Sequence, residues 1–223
     1  MTTQKNNETE RNVIVAKTET FVKEMLKDDS SGHDWWHIYR VVNCAKTIVH
    51  EEKADSFIVE MAALLHDVAD HKFSDAHKRQ LALEAFLDSI NISNQDRTHI
   101  IEIIETLSFK GAHVTTEMRT IEGKVVQDAD RLDAIGAIGI ARCFAYGGSK
   151  NRELWDPDEK PILHTSAKSY HDNKSSSINH FYEKLLLLKD RMNTATAKRM
   201  AKHRHAVMQD FLDEFHQEWK GEK

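Results

Sequence analysis

MAALLHDVAD, residues 61–70, decides the fold. The run of Ala and Leu from Met61 to Leu65 belongs to a helix buried on both faces, which makes a helix from about Ser56 through this stretch the centre of the molecule. The run then ends on His66-Asp67, where an ionised carboxylate is costly unless a cation or several donors meet it. Fold and chemistry therefore converge on the same ten residues.

Working outward, apolar residues recur at three- and four-residue spacing in both directions. Upstream, Val15, Phe21, Val22, Met25 and Leu26 mark a first helix that stops at DDSSG, residues 28–32, and a second runs from about Trp35 to Glu52. Downstream, Ser74 is placed to cap a fourth helix (AHKRQLALEAFLDSI), and Ser93 with Asp96 opens a fifth that ends near Leu107. Helical patterning resumes from about Thr116 to Tyr146, with a bend expected at Asp128–Asp130 and Gly136 and Gly139 one turn apart as a close-packing face. Residues 147–177 break the pattern: they hold Gly147-Gly148, both prolines (Pro157, Pro161) and Ser175–Ser177. Such a stretch is a binding loop or lid, or else a surface insertion. Periodicity returns over 178–220 in two amphipathic helices, FYEKLLLLKDRM and AVMQDFLDEFHQEW, split near Asn193-Thr194. The expectation is one all-α domain over residues 1–223, with a core at about 20–146, an irregular segment at 147–177 and two closing helices.

Composition agrees. A chain of 223 residues that is 40% hydrophobic can bury a full core, and 8 Gly with 2 Pro are too few for the turns of a sandwich or barrel. The net charge of -5 offers no general field for DNA or an anionic membrane, so an anionic substrate needs a local cluster of cations. Cys44 and Cys143 have no CxxC spacing and sit in apolar helical settings, which fits reduced core packing. The polar start MTTQKNNETERN is unlike a signal peptide, and no run is long enough to span a bilayer. A cytoplasmic protein with no nucleic-acid or membrane partner is expected. The oligomeric state stays open, a dimer included.

Three blocks carry residues with metal chemistry. HDWWHIYRV sets His33, Asp34 and His37 together, with the two histidines on one helical face. The second block is His66-Asp67. In QDADRLDAIGAIGIAR, Asp128, Asp130 and Asp133 crowd into six residues and repel one another unless a cation or arginine intervenes. For Asp128 and Asp133, helix capping and pairing with Arg131 compete with a supporting position beside a metal ligand.

GHDWWHIYRV, LLHDVADHKF, DADRLDAIGAIGIAR and HFYEKLLLLKDRM, in that order, resemble the HD-domain superfamily of metal-dependent phosphohydrolases. They are most similar to its bacterial stand-alone hydrolases, some of which are nucleotide pyrophosphatases. The resemblance implies His37, His66, Asp67 and Asp130 as metal ligands, with Asp67 also counted among the catalytic residues. It implies Asp70, which matches an acidic position of the guanosine tetraphosphate hydrolases, as the residue that activates water. No second His-His pair is present, so one divalent metal is expected. Manganese is favoured by the resemblance, and iron, cobalt, nickel or zinc are also compatible with the donors. His33 and Asp34 are expected to hydrogen-bond a ligand.

Two imidazoles and two carboxylates leave open positions on the ion for a water and a phosphate oxygen. Asp70 lies one helical turn beyond His66-Asp67 and can face the same water. Lys72, Lys110, Arg131 and Lys184 are the candidate phosphate-binding cations. With Lys150 and Arg152 also holding distal phosphates, a nucleoside triphosphate would present its α-phosphorus to the ion and release pyrophosphate. A nucleotide phosphomonoesterase and a non-catalytic nucleotide sensor are the alternative readings.

Overall fold

The computed structural model of the chain describes residues 2–27, 34–69, 75–107, 117–163 and 175–223. Among these residues there are nine α-helices, one 3₁₀ segment and no strand, so the protein is all-α as expected. No helix among them is long and apolar enough to cross a membrane. The helices gather into two compact units. One comprises residues up to Leu107 with Met118–Gln127, and the other Ser108–Glu117 with Asp128–Lys223.

In the first unit, α3 (Ser56–Leu65) packs against α1 (Thr2–Met25), α2 (Trp35–Glu52) and α5 (Asn94–Thr106). Eight of its ten residues are buried, which is why the Ala/Leu run shows no polar face. Asp55 caps it by accepting from the Phe57 and Ile58 amides at 2.9 and 3.4 Å. The helix also ends sooner than the apolar pattern suggests. Beyond Leu65 the chain tightens into a turn, with the Val68 amide donating to the Leu65 carbonyl at 3.1 Å.

Helix α1 begins well before Val15, because Gln, Lys, Glu and Arg sustain a helix whose later turns are docked. Arg11 ties its middle to Asp55 at 3.1 Å and to Asp96 at 3.8 Å. At α4 (Ala76–Ser89) the cap position belongs to Asp75, whose carboxylate accepts from Arg79 Nε at 2.8 Å; Ser74 lies outside the described residues. Ser93 caps α5 as expected, accepting from the Asp96 amide at 3.0 Å.

The helical stretch after Thr116 divides at Ala134-Ile135 rather than at Asp128–Asp130, giving α6 (Ile121–Asp133) and α7 (Gly136–Ser149). The break falls there because Gly136 takes a left-handed φ of 76° and a Cβ on it would lie 2.9 Å from the Arg204 side chain. In the second unit, α7 carries the helix to Ser149, so the expected irregular segment starts later than residue 147; residues 164–174 of it lie outside the described residues, and its end is tied to its start. The Ser177 and Ile178 amides donate to the Glu153 and Leu154 carbonyls, both at 3.0 Å. Trp155 packs on Phe215, His216 and Trp219, with ring centroids 4.6–6.1 Å apart.

The first of the two expected closing helices is a short helix, α8 (Ser177–Glu183), followed by a 3₁₀ segment (Leu185–Arg191). The second is α9 (Ala195–Trp219), capped by Thr194 through the Ala197 amide at 3.2 Å.

Candidate metal centre

Two helix ends of the first unit build the centre. Asp34 caps α2 by accepting from the His37 amide at 2.9 Å, which fixes the turn that carries the His37 ring. The end of α3 supplies His66, and the following turn supplies Asp67. All three residues are buried, with exposures of 2% for His37, 7% for His66 and 5% for Asp67.

Their ligand atoms converge. Nε2 of His37 lies 3.3 Å from Nε2 of His66 and 3.3 Å from Oδ2 of Asp67, and the third side of the triangle, His66 Nε2 to Asp67 Oδ2, is 3.6 Å. A point equidistant from the three atoms in their plane is about 2.0 Å from each, the length of a transition-metal bond to nitrogen or carboxylate oxygen. No other group of His, Cys, Asp and Glu among the described residues meets the geometry for holding an ion.

The chemistry of the donors fits as well. Nδ1 of His66 lies 2.8 Å from the Ala63 carbonyl, so the ring hydrogen belongs on Nδ1 and the lone pair of Nε2 points into the triangle. The same contact satisfies one of the last carbonyls of α3, which have no intrahelical donor. Two imidazole nitrogens and a carboxylate oxygen gathered in one buried place are donors that a divalent cation would suit.

His33, Asp70, Lys72 and Lys110 lie outside the described residues. Asp130 belongs to the second unit, on α6, and is half-buried. Asp128, expected beside a ligand or as a cap, instead fastens backbone: its two oxygens accept from the amide and Nδ2 of Asn193 and from the amide and Oγ1 of Thr194, all at 2.8 Å. Asp133 pairs with Arg142, and Arg131 donates to the Arg191 carbonyl. Lys184 sits half-buried where α8 gives way to the 3₁₀ segment. Lys150 and Arg152 both lie over the Tyr146 ring, 5.7 and 5.5 Å from its centre. Sequence reasoning missed the Ala63 carbonyl, since a backbone oxygen leaves no side-chain signal, and it missed Arg142 and Arg191 as partners.

The family described as HD domain matches residues 35–135, which contain His37, His66, Asp67 and Asp130. YpgQ of Bacillus subtilis (strain 168) is 40% identical over 206 residues, covering 91% of this chain and 92% of that protein. The crystal structure of YpgQ in complex with ADP superposes with a TM-score of 0.73 at 39% identity, over 92% of this chain and 97% of that one. A Lactobacillus plantarum structure is 40% identical with a TM-score of 0.85, over 94% and 98% of the two chains. An HD-superfamily hydrolase of Bacillus thuringiensis is 45% identical with a TM-score of 0.71, again over 94% and 98%.

Proposed function

Because the chain belongs to the HD-domain superfamily, we propose that it is a metal-dependent phosphohydrolase of nucleotides that cleaves a nucleoside triphosphate to the monophosphate and pyrophosphate. The observation that carries this reading is the buried triangle of His37 Nε2, His66 Nε2 and Asp67 Oδ2. The nucleotide bound to YpgQ supports the substrate class.

His37, His66 and Asp67 would hold the ion, and the HD pattern implies Asp130 as a further ligand. A divalent transition ion, manganese in this proposal, supplies an acidified water and draws charge from the phosphoryl oxygens. The chain's own groups do the remainder. The Ala63 carbonyl orients the His66 ring, and Asp34 fixes the backbone turn that carries His37. An Asp70 carboxylate oxygen accepts the proton of the attacking water. That water adds to the α-phosphorus while the bond to the bridging oxygen breaks, and pyrophosphate leaves. Water and triphosphate together account for every atom of the two products.

The test is product analysis. Protein reconstituted with manganese is incubated with several nucleoside triphosphates, and the expected products are the monophosphate and pyrophosphate. Orthophosphate with a nucleoside diphosphate, or faster release of nucleoside from a monophosphate, refutes the assigned bond. Full activity after exhaustive chelation refutes the mechanism.

A further inference from the structure

Helix α9 carries its charge in two blocks. From Ala195 to His205 it has Lys198, Arg199, Lys202 and Arg204 and no carboxylate, and from Ala206 to Glu218 it has Asp210, Asp213, Glu214 and Glu218 and no lysine or arginine. Both blocks run against the electrostatics of a helix. The macrodipole favours anions at the N-terminal end and cations at the C-terminal end, and α9 has the reverse order. Like charges also stand one turn apart, as in Lys198 with Lys202 and Asp210 with Glu214, where each repels its neighbour. Little within the chain answers this arrangement: Lys198, Lys202, Asp210 and Asp213 make no ion pair among the described residues, and Glu214 meets Lys223 at 2.6 Å.

The two blocks share one exposed face. Thr196, Ala197, Ala201, Met208 and Leu212 are buried on the inner side, whereas Lys198, Arg199, Lys202, Ala206, Asp210, Asp213 and Glu214 are exposed. Ala206 is the midpoint of that face. Lys202 and Asp210 lie four residues to either side of it, and Arg199 and Asp213 lie seven. A second α9 laid antiparallel about a two-fold axis at Ala206 therefore brings each basic block level with the acidic block of the other helix. The small Ala206 side chain lets the two helices approach at the crossing.

We propose that the exposed face of α9 is a docking surface for a second copy of this chain, which it meets antiparallel, basic block against acidic block. One surface serves both copies, so the contact closes on itself as a dimer and does not propagate. A polyanion would be drawn to the basic block and repelled by the acidic one, and only a partner with the same two blocks in reverse order satisfies both. Exposed ion pairs are individually weak and are screened by salt, so the dimer is a weak one that dissociates as salt is raised.

The test is sedimentation equilibrium of the full chain over a salt series from about 0.02 to 0.5 M. The unaltered protein should form a dimer whose Kd rises about tenfold or more across the series. Lys202→Glu and Asp210→Lys should each weaken the low-salt dimer about tenfold or more, with melting temperatures little changed. The double variant Lys202→Glu/Asp210→Lys should recover the dimer, because the same contact is remade with its signs exchanged. A monomer at every salt concentration at about 0.1 mM protein overturns the inference. So does a dimer that ignores both salt and Lys202→Glu, and so does a double variant that stays as weak as the single ones. If Asp210→Lys does not fold, Lys202→Glu and the salt series decide: loss of the dimer in both supports the docking surface, and a dimer unchanged in either overturns it.

Discussion

A backbone oxygen orients the His66 ring. With its Nδ1 hydrogen given to Ala63, Nε2 has only a lone pair to offer, and the nearest atoms are a second imidazole nitrogen and a carboxylate. If the triangle is the metal site, His66→Ala and Asp67→Ala should lose bound metal and nearly all activity. Their helical content should persist, because the core of α3 packs without them. Metal analysis beside far-ultraviolet circular dichroism checks this, and metal retained in both variants would remove the site. Asp70→Asn should keep its metal and lose turnover by about 10²- to 10⁴-fold, since the lost work is proton transfer. Asp128 is a different kind of residue. Asp128→Ala strands four donors that were satisfied in the fold and should lower stability by about 3 kcal/mol in urea melts, with manganese content little changed in the folded fraction.

Helix ends do most of the positioning. Helix α2 starts on a cap that fixes the turn of His37, α3 ends one residue before His66, and the join of α6 to α7 depends on Gly136. Two glycines of the same helix separate the effects. At Gly136 an added methyl meets Arg204 at 2.9 Å on a left-handed backbone, so Gly136→Ala should cost about 1–3 kcal/mol. Arg204 also donates to the Leu132 carbonyl, and moving it would leave the end of α6 unsatisfied. At Gly148 nothing lies within 4 Å of an added Cβ, and alanine there should be neutral or stabilising by up to about 1 kcal/mol. Thermal melts of the two variants distinguish them, and equal shifts would contradict the described break.

Across the whole chain, two free cysteines and a net charge of -5 describe a protein held by packing rather than by cross-links. Burial pushes the Cys143 thiol up to about 12 from its ordinary 9.0, and the Arg152 and Lys184 charges only partly oppose it. The folded value is the higher one, so the linked stability is complete below pH 9 and is lost as pH rises from there toward 12. Cys143→Ala should remove that alkaline component from urea melts followed between about pH 8 and 11. A native thiol at Cys143 should also resist alkylation at about pH 7.5, where a fast reaction would contradict its burial.

Helix patterning was legible where a stripe was apolar, as in Trp35–Glu52 and Asn94–Thr106, and of the four ligands that the HD resemblance implied, His37, His66, Asp67 and Asp130, the first three are seen to converge. The missed features are contacts between distant residues. The periodicity of residues 116–146 is continuous, and only the approach of Arg204 to Gly136 places the break. LLLLKDR reads as an amphipathic helix, and its winding as 3₁₀ goes with the anchors from Asp128 and Arg131 on the turn after it.

Residue types and their order were enough to determine an all-α chain, because helical period is a local property, while the ligand set of His37, His66, Asp67 and Asp130 came from resemblance to the HD pattern. Only the tertiary structure decided that Nε2 of His37, Nε2 of His66 and Oδ2 of Asp67 meet within 3.6 Å, and that Asp128 fastens a turn. Those outcomes depend on where packing brings the end of one helix against the side of another, and on which polar groups are then left to satisfy each other away from water.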